Sequence, residues 1–318
     1  MTRLGNSDLN VFPLALGANT LGWTADEATS FAILDAFVEA GGNLIDTADN
    51  YSIWAEGNVG GESEIIIGRW LASRDLRDDV LIATKVSRHP DFLGLGRASI
   101  SGGVEESLRR LGVDRIDVYY AHYDDPATPV EESAATFHEL QQQGKIGHVG
   151  LSNYTAKRLE EWISVARAHG WELPVAFQPH YNLVHRQPYE RELAPIVQAA
   201  QIGVVPYFGL ASGLLSGKYG SAEEVNRSDR RVFTEKYSSP ESFAVVDVLH
   251  EIAREQNVAV PTVALAWLRD APGVVAPLAS VRTADQLPAL TAIGRFSLDA
   301  DSRARLDSVS SRVPEEQL

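Results

Sequence analysis

Eight short runs of mostly apolar, often β-branched residues recur along the chain, each separated from the next by a longer amphipathic stretch. They read "PLALG", "NLIDTA", "VLIATKV", "IDVYYAH", "IGHVGLS", "VAFQPHY", "GVVPYFG" and "GVVAPLA". They are apolar almost throughout, not at alternate positions only, which is the pattern of parallel strands covered on both faces. The stretches between them carry helix signals. "TADE" at 24–27 has capping-box spacing from Thr24 to Glu27, and Gly41 and Gly42 close that helix. "TPVE" at 128–131 repeats the box and predicts Pro129 at the first helical position. "SSPES" around Pro240 and "TADQ" at 283–286 predict two further helix starts. Eight strands alternating with helices in 318 residues predict an α/β protein of the (β/α)8 TIM-barrel class. A doubly wound sheet shares the alternation, but it normally carries G-x-G-x-x-G after its first strand. "LALGANTLGW" lacks that spacing, and no other strand supplies it.

No composition shift or Pro/Gly linker divides the chain, so residues 1–318 are expected to form one domain. The turn cluster in "RLGNSDLNVF" predicts an N-terminal β-hairpin closing one barrel end. "SIWAEGNVGGESE" predicts a long, glycine-rich βα loop, and residues 218–239 a second long polar loop. Long βα loops of a barrel lie at its catalytic face.

Charge and cysteine content exclude several functions. With 28 Lys+Arg against 43 Asp+Glu the net charge is -15, which repels a polyphosphate backbone and argues against a nucleic-acid partner. A phosphate on a small ligand would need a local basic cluster. The absence of cysteine removes disulfides, thiolate zinc sites and cysteine nucleophiles. The opening "MTRLGNSDLNVFPLALG" is too polar for a signal peptide, and no apolar run approaches the roughly 20 residues that span a bilayer. The expected location is the cytoplasm, with no membrane partner.

In a barrel, chemistry belongs to side chains at the C-terminal ends of strands. Those ends supply Asp46 and Tyr51 from "NLIDTADNY", Lys85 from "VLIATK" and His122 from "IDVYYAH". A free phenol, with a pKa near ~10, is a poor acid at neutral pH, and a nearby ammonium lowers that value. Lys85 is expected to do this to Tyr51, Asp46 to hold Lys85, and His122 to hydrogen-bond an incoming carbonyl oxygen. Each residue alone has a plainer role: Asp46 as a cap, Lys85 snorkelling, His122 in the core, Tyr51 in packing. Their order on three successive strands favours a shared site. A metal-dependent hydrolase built on Asp46 and His122 would need further ligands, commonly H-x-H after a strand, and no H-x-H occurs. No metal is expected.

The sequence resembles the aldo-keto reductase family along nearly its whole length. The motifs, in the family's order, are "GGNLIDTADNYS", "GGESEIIIGRWL", "LIATKV", "SLRRLGVDRIDVYYAH", "GKIGHVGLSNY", "FQPHYNLV", "PYFGLASGLLSGKY" and "VALAWL". The resemblance implies an NADPH-dependent oxidoreductase that reduces a small carbonyl compound, with Asp46, Tyr51, Lys85 and His122 as its catalytic tetrad. It also implies a cofactor site. Ser152 and Asn153, with Gln178 beside them, would meet the nicotinamide carboxamide, and Tyr207 would stack on the ring. The stretch "GLASGLLSGK", with Leu210, Ser212, Gly213, Leu214 and Lys218, would fold over the pyrophosphate. Ser280, Arg282 and Gln286 would hold the adenosine phosphate, and Ala18, Asn19 and Asp46 complete the contacts. Gln286 fits a capping box with Thr283 equally well. Arg282, which can grip a 2′-phosphate in two places, and secondarily Lys218 make NADPH the expected cofactor and NADH the lesser one.

Two departures stand out. Leu290 occupies a position where the family often has asparagine, which weakens the expected adenine contacts. The loop after Tyr51 is longer than usual, so Trp23 and Trp54 are expected to shape a substrate pocket together with Tyr51, His122, Tyr123 and Phe208. Some family relatives serve ion channels as accessory subunits, so a nucleotide-binding regulatory role is the competing expectation. Neither the substrate nor the oligomeric state is legible in the sequence.

Overall fold

The structure is a computed structural model that describes residues 1–74, 76–227 and 234–314. All eight runs contain strand: β3 (Ala15–Gly17), β4 (Leu44–Asp46), β5 (Leu81–Val86), β6 (Ile116–Ala121), β7 (Ile146–Ser152), β8 (Ala176–Gln178), β9 (Gly203–Val204) and β10 (Leu278–Ala279). They form one parallel sheet in the order β10-β3-β4-β5-β6-β7-β8-β9. The two ends of that order meet, because Val204 N donates to Gly273 O at 2.9 Å, Val275 N to Val204 O at 2.8 Å, and Leu278 N to Pro206 O at 2.9 Å. The expected (β/α)8 barrel is therefore present and closed.

The short strands β1 (Thr2–Arg3) and β2 (Asn10–Val11) pair antiparallel as the expected hairpin. Its apolar residues Leu4 and Val11 are buried against Val175, Ala176, Val205 and Ala276 on the barrel floor. Gly5 permits this approach: its φ is +55°, and any Cβ there would collide with Val175 O. The floor is thus sealed, leaving the C-terminal strand ends as the open face.

Helices α1 (Glu27–Glu39), α2 (Glu62–Arg74), α3 (Arg97–Leu111), α4 (Val130–Gln142) and α5 (Ala156–His169) follow the first five barrel strands. Each buries one stripe at helical spacing, such as Ser30, Ile33, Leu34 and Phe37 on α1. Truncating one of these, as in Leu34→Ala, costs about 2–5 kcal/mol. The outer layer continues through helices at Pro240–Glu255, Val260–Arg269 and Ala300–Ser310.

Helix starts differ in detail from the sequence expectation. Asp26, not Thr24, caps α1 by accepting from Thr29 N at 2.8 Å, so Glu27 is the first helical residue and is free to pair with Arg69. Pro129 stands at the cap position with an extended ψ of 136° instead of inside α4, and the Thr128 hydroxyl turns to Asp125 Oδ2 at 2.6 Å. At 239–242 the expected start holds, since Ser239 Oγ accepts from Ser242 N at 3.1 Å. The "TADQ" stretch makes a 3-10 turn, Ala284–Gln286, in which Thr283 caps nothing with its side chain. The polar loop at 218–239 contains a short helix, Ala222–Asn226, and a 3-10 turn, Glu235–Tyr237; its residues 228–233 lie outside the described residues.

Candidate active site

Strand parity sets the direction of the key side chains. Leu44, Ala83 and Val118 belong to the inner apolar cluster, whereas Ile45, Ile82 and Tyr119 pack outward on the helices. Two residues further on, Asp46 and Lys85 therefore point inward at the top of the barrel. β4 and β5 pair in parallel with Asp46 opposite Ala83, which places Lys85 just above the carboxylate.

Lys85 Nζ donates to Asp46 Oδ2, to Thr47 O at 2.7 Å and to Tyr51 OH at 3.1 Å. The three donor positions of the ammonium are then all used. Asp46 Oδ1 accepts from Gln178 Nε2 at 2.8 Å. Asp46 and Lys85 are 1% and 0% exposed, so this is a buried ion pair with its remaining polar valences satisfied. The His122 ring stands edge-on to Tyr51 with centroids 6.1 Å apart. The four expected residues are brought together in one cluster.

The charge states follow from burial and neighbours. Burial alone would lower Lys85, but the Asp46 carboxylate and Tyr51 outweigh it and hold the ammonium above its ordinary value. Burial drives the Asp46 carboxyl upward against the opposing pull of Lys85. The Tyr51 phenol is raised, chiefly by burial; Lys85 pulls it down, as expected from sequence, but less strongly. This reverses the expected net direction: enclosing the phenol outweighs the neighbouring charge. Burial, then the charges of Lys85 and Arg88, push His122 well below 6.5, so its imidazole is neutral. At neutral pH the cluster holds a protonated phenol, an ammonium and a neutral imidazole whose Nδ1 has no partner among the described residues.

Residues expected at a cofactor site line the same face. Asn153, with a left-handed φ of 56°, donates through Nδ2 to His122 O at 2.9 Å and Ser152 Oγ at 3.0 Å, and its Oδ1 accepts from Tyr207 OH at 2.8 Å. Ser152 Oγ donates to Gln178 O at 2.9 Å. Gln178 thus faces Asp46 with its amide nitrogen and belongs to the charged cluster as much as to Ser152 and Asn153. Ala18 N donates to Asp46 O at 2.9 Å, and Asn19 Oδ1 accepts from Ser280 Oγ at 2.6 Å, joining the first and last βα loops.

Past Tyr207 the backbone is unusual. Phe208, Ala211 and Ser212 have φ of 55°, 46° and 55°, and Gly213 has 104°. Such conformations cluster at ligand-binding loops, where the surroundings hold them. Leu214 is buried beneath this turn, Leu210 packs on the same core, and Lys218 packs so close to Gly213 that a Cβ there would lie 3.1 Å from Nζ. Ser212 Oγ is buried without a hydrogen-bond partner among the described residues. Arg282 has no ion-pair partner among the described residues, and Gln286 Oε1 accepts from Arg282 N at 2.9 Å, so Gln286 braces the backbone that carries the guanidinium. Leu290 is buried in the core, not at the surface beside Gln286.

Of the aromatic residues expected at a substrate pocket, Trp23, Trp54, His122 and Tyr123 gather near Tyr51, whereas Phe208 packs beside Tyr207 and His180. Trp23 meets Trp54 edge-on at 5.6 Å, Trp54 lies 6.0 Å from Tyr51, and Tyr123 lies 5.1 Å from His122. Trp54, Tyr123 and Phe208 are among the most exposed large apolar side chains. The long loop after Tyr51 is tied to the first βα loop, since Ser52 Oγ donates to Leu21 O at 2.7 Å and Asn58 Nδ2 to Gly22 O at 2.9 Å. Glu62 closes the loop by accepting from Val59 N at 2.7 Å.

Several supporting residues had no distinct signal in the sequence. Thr47 serves Lys85 through its backbone carbonyl, which any residue could offer. His180 stacks beside Tyr207 at 5.3 Å and shares a hydrogen bond with Tyr237 OH at 2.7 Å, and burial pushes it down to about 2, so it braces that aromatic as a neutral ring. Among the described residues no group of three or more His, Asp or Glu side chains could hold a metal ion, and no helix is long and apolar enough to cross a membrane.

Comparison with known proteins places the chain in a family. A model of the Aldo/keto reductase family matches residues 13–311. The chain is 31% identical to "Aldo-keto reductase YhdN" of Bacillus subtilis, over 97% of this chain and 92% of that one. It is 33% identical to "Norsolorinic acid reductase stcV" of Emericella nidulans, over 90% and 75% of the two chains. It is also 33% identical to a "Probable voltage-gated potassium channel subunit beta" of Oryza sativa, over 90% and 84%. With the barrel, the buried Asp46–Lys85–Tyr51 cluster and matches over nearly its full length, the chain belongs to the aldo/keto reductase family.

Proposed function

We propose that the chain reduces an aldehyde or ketone to the alcohol with NADPH, Tyr51 acting as general acid. The observation that carries this reading is the phenol held 3.1 Å from a fully buried ammonium that Asp46 keeps charged. The phenol stays protonated at neutral pH because burial raises it. Lys85 stabilises the phenolate that forms as the proton leaves, and Asp46 and Gln178 hold Lys85 in place. His122, neutral, can donate to the carbonyl oxygen and fix its position beside Tyr51.

The residues fit NADPH. The Ser212 hydroxyl and the Arg282 guanidinium, both without a partner among the described residues, and the left-handed turn at 211–213 beside Lys218 offer donors and positive charge for phosphates. When bound, the cofactor supplies the hydride. Ser152, Asn153 and Tyr207 would hold its nicotinamide end, and Arg282, Ser280 and Gln286 its adenosine end. A non-nucleic-acid, small-molecule partner and a cytoplasmic setting belong to the same proposal.

Purified protein should oxidise NADPH in the presence of a reactive aromatic aldehyde. Arg282→Ala should weaken NADPH about tenfold or more while NADH changes little, since only the former offers a phosphate to the guanidinium. The likeness to a channel subunit supports a second reading, an NADPH-binding accessory protein. Tight cofactor binding without turnover across a carbonyl panel would favour that reading and overturn the first.

A further inference from the structure

Ser87, directly after β5, has φ of 115°, a conformation that L residues rarely adopt. It is held there from both sides: its Oγ accepts from Tyr123 N at 3.1 Å, and its carbonyl accepts from Gly94 N at 3.1 Å. The turn carries the next residue, Arg88, over the face of Tyr123, with the guanidinium carbon 4.7 Å from the ring centroid. Tyr123 in turn lies 5.1 Å from the His122 ring, which stands 6.1 Å from Tyr51. An arginine is thereby fixed beside the mouth of the catalytic cluster, close enough that its charge acts on His122.

That charge is uncommitted. Among the described residues Arg88 has no ion pair, although the protein carries an excess of acids. The two acids that follow Tyr123 are occupied elsewhere, and Asp91, three residues after Arg88, is turned to His89. Asp124 pairs with Arg158 at 2.8 Å, Asp125 accepts from Leu95 N at 2.9 Å and from Thr128 Oγ1 at 2.6 Å, and Asp91 is paired only loosely with His89 at 3.8 Å. Stacking on Tyr123 leaves the edge of the guanidinium, with its fork of donors, open to a ligand. From the guanidinium, Tyr123 and His122 lead ring by ring to Tyr51, and Trp54 lies 6.0 Å from Tyr51.

We propose that Arg88 anchors a carboxylate on the substrate, so that the preferred carbonyl compounds are aldehydes or ketones bearing an anionic group across an aromatic or similarly flat spacer. This rests on the reductase reading of the site and names its substrate class. Arg88 is then a specificity-determining residue, not part of the proton-transfer chain.

The test pairs 4-carboxybenzaldehyde with its neutral methyl ester, methyl 4-formylbenzoate. Wild type should show kcat/KM at least about tenfold higher for the carboxylate, as a charge-assisted contact gives. Arg88→Gln should bring that ratio close to one, and Arg88→Lys should retain part of it. Added salt should shrink the wild-type preference, because the guanidinium is exposed. An unchanged ratio in Arg88→Gln would overturn the proposal, as would a rise in KM for NADPH with the ratio intact, which would place the arginine on the cofactor. Failure of wild type to reduce either aldehyde would count against the reductase reading alone. In that event tryptophan quenching by monomethyl terephthalate still decides: saturable binding lost in Arg88→Gln supports the anchor, and equal binding by both proteins contradicts it.

Discussion

Two buried aspartates, three positions apart in the same stretch "IDTADNY", have different surroundings. Asp46 and Asp49 are 1% and 0% exposed. Asp46 meets the Lys85 ammonium and the Gln178 amide, so both oxygens are satisfied. Neither oxygen of Asp49 has a side-chain partner within the described residues, and the backbone N–H groups of His89 and Asn50 face it only weakly. Its neighbourhood holds Glu64, already joined to Arg110 at 2.6 Å and to Thr84 at 2.6 Å. Burial first, then the like charge of Glu64, push Asp49 up to about 8 against the weaker pull of Arg110. Burial raises both, but one acid is opposed by an ammonium and an amide beside a phenol, while the other is pushed further by a like charge behind it. Burial of an acid is therefore no guide to its role until its partners are known.

The sharpest way to break this contrast is to remove the partner of Asp46. Lys85→Met should leave a buried carboxylate unpaired, destabilising the fold by roughly 3–5 kcal/mol at pH 7, and should also abolish most turnover. The loss of stability should lessen toward acid pH, where Asp46 takes up a proton, and urea melts at several pH values measure it. Adding Asp46→Asn to Lys85→Met should restore much of the stability and none of the activity. Recovery of turnover in the double variant would refute the assignment.

Asp49→Asn should act in the opposite sense. The native carboxyl titrates near 8 and the unfolded one near 3.8, so the native state binds the proton more tightly. Below 3.8 both states are protonated and Asp49 adds no pH dependence. Between 3.8 and about 8 the wild type loses stability as pH rises. The variant should therefore gain on wild type across that window, by about 1–3 kcal/mol at its upper end. A variant less stable than wild type at pH 8 would show that the charged or hydrogen-bonded form of Asp49 matters to the fold.

A smaller effect is expected in the pH profile. His122 titrates well below 6.5 and Tyr51 above 10.0, so kcat/KM for a neutral aldehyde should be nearly flat across the ordinary histidine range. A titration near 6.5 that disappears in His122→Gln would instead show a charged imidazole taking part.

The barrel was legible because eight continuous apolar runs leave few ways to cover both faces of a sheet, and every run contains strand. Asp46, Tyr51, Lys85 and His122 were legible because strand ends converge in a barrel whatever their distance in sequence. Their electrostatics were less so: the sequence shows that Lys85 can reach Tyr51 but not how deeply both are buried, and burial reversed the expected shift of the phenol. Helix caps were misplaced where two candidate residues compete, as at Thr24 and Asp26, because the choice depends on which loop geometry packs. The strained φ of Ser87 left no sequence signal at all, since serine normally needs no such conformation; it follows from its contacts with Tyr123 and Gly94. Gln178, expected beside Ser152, also turned out to secure Asp46, a contact made across the barrel, since β4 and β8 stand on opposite sides of the closed sheet.

The central claim is that the Tyr51 phenol is the proton donor. NADPH oxidation with benzaldehyde, measured for wild type beside Tyr51→Phe together with NADPH binding by fluorescence, tests it most directly. The expected result is cofactor affinity within about twofold of wild type and turnover lower by roughly 100-fold or more. A Tyr51→Phe protein that still turns over at near the wild-type rate would contradict it.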